Sequence, residues 1–397
     1  MASLSFLVLP FVNPSGDSDQ NYVAVNITSD LTARLSAIAD SFVIARSSAL
    51  AIASKSLPVP EIGHIFGVRY VLRGSAFREG AHLHAIATLV RADNDEQIWS
   101  EQFERDFATL RDLDQEIIAR VAQRLGVALA EATPPAAPLQ DVAALDALLR
   151  AKAVADLPTT PQTVAEARRL YGIAIGLAPR AAEAKAGLAA VHLAVALGGR
   201  GSPVAYELAE CERLLQESLA AEPRNAVALN TLGALRRATG KPREALAAFE
   251  SAVAADRNDA NAHGQIGRLE IDLGEPARAL PHIELALRLS PLDSQRSLWF
   301  TFAGLAQLYT GDPTAARSWL EKSVAATPQF VTSLVFLAAA QQLEGRNEDA
   351  HRTIAAVQRL SPALSVARVE QQFAPAERTR PQWSRIRDSL RQAGLPN

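Results

Sequence analysis

Apolar and polar residues alternate with period two in some stretches of the first third of the chain and with a period near 3.6 in others. This switching predicts a mixed domain with one sheet and helices packed on it. Leu4 to Pro10 reads as a buried strand, Ser29 to Ile38 as part of a helix capped near Thr28, Phe42 to Ala45 as a second strand, and Pro60 to Phe66 as a short helix. Three strand-like runs follow, Tyr70 to Phe77, His82 to Arg91 and Gln97 to Asp106. Turn residues separate them, Glu79-Gly80 and Asp93-Asn94-Asp95, so an antiparallel meander is expected. Leu110 to Ala130 is then helical, with Leu113, Ile117, Ile118, Val121 and Leu125 on one stripe.

The pattern changes at TPPAAPLQ, Thr133 to Gln140, beyond which only helical periodicity remains, and there a repeat emerges. Gly233, Gly267, Gly304 and Ala338 share one register, spaced by 34, 37 and 34 residues. Gly240, Gly274, Gly311 and Gly345 share another, where a first helix must turn into a second. Ala245, Ala279, Ala316 and Ala350 form a third, and Phe249, Ile283, Leu320 and Ile354 a fourth, while Pro291, Pro328 and Pro362 end second helices. Small residues let paired helices approach, and large ones fill the space between. Gly187, Cys211 and Pro223, then Ala167, Tyr171 and Pro179, carry the pattern back towards Asp141. The expected organisation is an α+β domain over 1–131, a linker over 132–140, about six helical hairpins over 141–363, and a capping helix region over 364–397. In that last region Trp383, Ile386 and Leu390 lie on one face.

The 34-residue register resembles the tetratricopeptide repeat and implies an all-α superhelix after the α+β domain. The segments VLPFVNPSGDSDQNY, SDLTARLS, FVIARSSA, GVRYVLRGSAFREG, IWSEQFERD and LDQEI resemble the TolB amino-terminal-like domain that precedes such repeats in many bacterial regulators. VAVN after Tyr22 and the stretch ASKSL depart from that pattern. The resemblance implies the accessory region of a class III adenylate or guanylate cyclase or of a winged-helix regulator; in such proteins the effector lies N-terminal to this pair, and since the residues before Leu4 have no room for one, either a fragment of such a protein or a stand-alone relative is expected.

Composition narrows the function classes. A net charge of −3 supplies no field of one sign for nucleic acid or an anionic membrane, and neither is an expected partner. No apolar stretch approaches the roughly 20 residues of a membrane span. The single cysteine, Cys211, excludes an internal disulfide framework and a multi-cysteine metal site, and a cytoplasmic location is expected.

Candidate chemistry is sparse. Ser15, Asp17, Asp19 and Gln20 precede a helix, where oxygen ligands have a cation to meet and backbone N–H groups a phosphate, but a turn with a helix cap uses the same residues. His82 and His84 alternate on one strand face without a third ligand. GGRGSP lacks the ending of a phosphate-binding loop, and no HExxH or GxSxG occurs. The chain is therefore read as a non-enzyme without a cofactor, binding a protein or peptide partner, or a second copy of itself, through a groove. By register that groove includes Asn230 and Arg237, Asn261 and Arg268, then Leu298, Thr301 and Leu305, and finally Gln342. Ala184 and Leu188 stand where some tetratricopeptide domains carry a lysine-asparagine carboxylate clamp, so that mode is not expected. The apolar face of the later repeats calls for an occupant, for which the C-terminal helix of the chain is a candidate.

Overall fold

A computed structural model describes residues 4–36, 38–129, 141–198, 203–373 and 379–397. The expected linker and most of the GGRGSP stretch lie outside the described residues. The chain divides into two compact units, 1–259 and 260–397.

The first unit opens with a five-stranded sheet in the order β2-β1-β3-β4-β5, formed by β1 (Ser5–Val8), β2 (Phe42–Val43), β3 (Tyr70–Glu79), β4 (His82–Arg91) and β5 (Gln97–Asp106). β1 pairs in parallel with both β2 and β3, and all four of its residues are buried, as suits a strand covered on both faces. The last three strands form the expected antiparallel meander. β4 alternates, burying Leu83, Ala85, Ala87 and Leu89 and turning His82 and Ile86 to solvent.

Helices α1 (Asn21–Leu35) and α4 (Leu110–Leu125) pack their apolar stripes on this sheet, and Leu145 and Leu149 join the same core. α1 begins earlier than the sequence suggested. Thr28 is not its cap: the Thr28 hydroxyl donates to Ala24 O at 2.7 Å and accepts from Phe11 N at 2.9 Å, which ties the segment after β1 to mid-helix. The short helices α2 (Arg46–Ala53) and α3 (Val59–Phe66) complete the domain. α2 was not expected, and the second strand ends at Val43 because Arg46 already starts this helix.

Three helix pairs follow in the first unit: α5 (Val142–Ala155) with α6 (Pro161–Leu177), α7 (Ala182–Gly198) with α8 (Val204–Ala221), and α9 (Ala226–Ala238) with α10 (Pro242–Ala255). The second unit holds three more: α11 (Ala260–Asp272) with α12 (Pro276–Leu289), α13 (Arg296–Thr310) with α14 (Pro313–Ala326), and α15 (Val331–Leu343) with α16 (Asn347–Leu360). Helices α17 (Val366–Gln372) and α18 (Arg380–Gln392) end the chain.

The repeat registers have the structural duties that the sequence implied. Gly240, Gly274, Gly311 and Gly345 all turn with positive φ, between 73° and 90°, where a side chain would be strained. At Gly267 a Cβ would come within 2.4 Å of Ile283, and at Gly304 within 2.5 Å of Leu320, so contact between paired helices depends on the missing side chain. The architecture is thus an α+β domain followed by tetratricopeptide-type helical hairpins. Among the described residues no helix is long and apolar enough to cross a membrane.

Candidate protein-binding surfaces

Helix α7 is alanine-rich along its whole length, so its surface is low, and Gly187 lets the ring of Tyr171 in α6 lie against it. Beside this low surface the first unit contains a cleft of about 290 Å³. Ala190, Val191 and Ala194 of α7 line one side, Val164 of α6 and the segment from Val154 to Leu157 another, and Asn26 and Ser29 of α1 a third. Two large apolar residues at its edge, Leu157 and Val227, are 53% and 49% exposed.

The charged groups of the cleft are already paired. Lys152 Nζ reaches Asp30 at 3.1 Å and Glu183 at 2.8 Å, Glu183 also holds Arg111, and Asp156 meets Arg46 at 2.6 Å. The cleft is therefore close to neutral and mostly apolar, with the Asn26 amide and the hydroxyls of Ser29, Thr159 and Thr163 among its lining. Its chemical complement is an apolar peptide side chain with a backbone beside it.

Asp114 of α4 is wholly buried, and neither carboxylate oxygen has a hydrogen-bond partner. Burial, with help from the charge of Asp30, pushes its carboxyl well above the ordinary range, against the pull of Arg34, Lys152 and Arg111. As pH rises above the ordinary carboxylate range, the unfolded chain releases this proton first. The stability contribution is therefore complete in acid and declines as pH rises until Asp114 titrates in the folded chain. Asp114→Asn removes that slope. Its stability relative to the parent should grow with pH above about 4, by up to ~1.4 kcal/mol per pH unit, in urea unfolding from acid to neutral pH. Parallel curves would show that Asp114 ionises freely in the fold.

The corresponding surface of the second unit is already filled. α18 packs against both α13 and α15, the first helices of two hairpins. Trp383, Ile386 and Leu390 are buried, and Ile386 shares a crevice with Leu308 and Leu343. The Trp383 indole donates to Glu370 at 2.9 Å, and Val366 N donates to Pro396 O at 2.7 Å. Phe373 meets Phe336 edge-on at 5.1 Å.

The eight groove residues expected from the sequence divide between the units. In the first, Arg237 is exposed, while Asn230 donates to Asp259 at 2.5 Å. In the second, Asn261 is exposed and Leu298 half-buried. Thr301 and Leu305 are interior, with 1% and 2% exposure, and the Thr301 hydroxyl joins Ser323 and Ser333. Arg268 is held by Asp272 at 2.8 Å, and its guanidinium faces the rings of Phe302 at 4.9 Å and Phe373 at 5.5 Å. Gln342 contacts Gln392 at 3.4 Å. Side chains that register alone did not nominate, Ala190, Ala194, Leu157 and Val227, border the open cleft; the alanine run in α7 was the available signal.

The other candidates have structural employment. Asp17 accepts from Asp19 N at 3.0 Å and Asn13 accepts from Ser15 N at 3.0 Å, closing a turn before α1. His84 stacks on Phe77 with ring centroids 5.0 Å apart. Among the described residues no group of three or more potential metal ligands occurs. Cys211 is buried, which pushes its thiol up to about 12.

These features define a helical-repeat protein with an open cleft beside α7 in the first unit and, in the second, a surface covered by α18. No family model matches the sequence. A curated protein of Rhizobium meliloti (strain 1021), named "Putative adenylate cyclase 3", is 29% identical over 221 residues, or 55% of this chain and 38% of that protein. The chain thus spans well under half the length of the curated relative it matches. Solved structures with similarity include PilF of Pseudomonas aeruginosa, at 17% identity and a TM-score of 0.47 over 56% of this chain and 93% of that one. YrrB, described as a TPR protein with an unusual peptide-binding site, has 21% identity and a TM-score of 0.37 over 48% and 90%. MamA has 20% identity and a TM-score of 0.37 over 40% and 91%.

Proposed function

We propose that this chain is a non-catalytic interaction module that senses a protein or peptide partner through the cleft beside α7. One observation carries the reading: a neutral, apolar cleft of about 290 Å³ whose ionic groups are already paired among themselves. Such a site offers complementarity to an apolar anchor and lacks a reactive group with an unmet proton or nucleophilic role. The TolB-like and tetratricopeptide resemblance supports a sensory part within a signalling architecture.

Ala194 is exposed on the cleft wall, so Ala194→Arg fills the space without disturbing the core. Peptides selected on the purified parent chain should bind this variant roughly tenfold more weakly, about 1.4 kcal/mol, by calorimetry. Undiminished binding of every selected peptide would reject the cleft.

A second reading is favoured by the 29% match to the Rhizobium protein: this region is the regulatory C-terminal part of a class III adenylate or guanylate cyclase. Joined to such a catalytic domain, the module would alter cyclase turnover when the cleft is occupied. Equal turnover with and without a bound peptide would count against it.

A further inference from the structure

The surface formed by α13 and α15 presents the same helices of the hairpin as a binding groove does, yet the chain covers it with its own last helix. Three properties of α18 suit a ligand more than a permanent layer. It is amphipathic, with Trp383, Ile386 and Leu390 at i, i+3 and i+7 buried and four arginines against one aspartate elsewhere. It lies across two hairpins instead of stacking on the end of the array as a seventh would. It is also short enough that its helicity depends on being docked.

We infer that the face of α13 and α15 is a receptor for an amphipathic helix, with α18 as its resident and exchangeable ligand. The fitting partner is a helix with an aromatic residue followed three and seven residues later by aliphatic ones, and with a basic outer face. Trp383 is the anchor, because its ring is 1% exposed and its indole N–H is satisfied by Glu370. Tethering gives the resident helix a high effective concentration, so an outside helix enters only when it binds tightly or when the resident is loosened. This surface belongs to the second unit, and its test is separate from that of the cleft beside α7.

A specific protease site inserted between Phe373 and Thr379 allows the chain to fold first and the tether to be cut afterwards. The probe is a fluorescent peptide of residues 379–397, followed by anisotropy. The cut chain should take up the peptide, the uncut chain should bind it at least roughly tenfold more weakly, and a Trp383→Ala peptide should bind the cut chain at least roughly tenfold more weakly than the parent peptide. No exchange over a day, or equal uptake of the two peptides, or equal uptake by cut and uncut chains, would overturn the inference. If the insertion prevents folding, Trp383→Ala in the uninterrupted chain replaces it. That variant should admit the parent peptide at least roughly tenfold better than the unaltered chain, and no gain would overturn the inference equally.

Discussion

Glu183→Gln should destabilise the chain by about 3–5 kcal/mol at neutral pH, among the largest effects available to a single polar substitution here. Glu183 starts α7 and accepts from Lys152 of α5 at 2.8 Å and from Arg111 of α4, while Lys152 also binds Asp30 of α1. Removing the carboxylate leaves two partly buried cations and one carboxylate, Asp30 beside Lys152, and an unpaired buried charge costs more than the pair contributed. Burial opposes ionisation of Glu183, but Lys152 and Arg111 outweigh it and hold its carboxyl down at about 2. The contribution is therefore present above the ordinary carboxylate range and disappears as pH falls through about 2. Denaturant unfolding of the variant and the parent should accordingly differ most at neutral pH and converge in strong acid. Replacing Glu183 by Leu and Lys152 by Met together should cost much less than Glu183→Gln alone. If single and double variants lose equal stability, the cluster is not acting through charge.

This same cluster shows why part of the first unit was illegible in the sequence. Asp30, Arg111, Asp114, Lys152 and Glu183 come from four helices, and nothing local in any of those helices announces the others. One clue was present. Asp114 lies beside Leu113 and one turn before Ile117 and Ile118, so a carboxylate stands on the margin of an apolar stripe. The missed helix α2 is different: at eight residues it is too short for periodicity to declare itself, and the tertiary burial of Ser48, Ala49 and Ile52 decides it. The hairpins were legible because their packing rule is local and repeated. The amphipathic pattern of α18 was legible too, while its seat on α13 and α15 depends on contacts far apart in sequence; Thr301 and Leu305, expected on the groove surface, are buried, Thr301 against Ser323 of α14 and Ser333 of α15.

The repeat rule itself can be measured at the third hairpin. Phe249→Ala should cost about 3–5 kcal/mol, because the ring is 1% exposed and its removal leaves a cavity between α9 and α10. Gly233→Ala adds a Cβ that would lie 2.8 Å from three atoms of that ring, a clash worth about 1–3 kcal/mol. Alanine regains up to about 1 kcal/mol of helix propensity over glycine, so the net loss is smaller than the clash alone. In the double variant the ring is gone, the new methyl enters vacated space, and the propensity gain is expressed. The double loss should therefore fall short of the sum of the single losses by at least about 1 kcal/mol. The sixth hairpin supplies the natural control, since Ala338 already carries a Cβ opposite Ile354 and both are buried. Ala338→Gly should destabilise there, opening a gap and losing propensity together. Additive losses at Gly233 and Phe249, with a gain from Ala338→Gly, would mean that the glycines are kept for a reason other than the approach of paired helices.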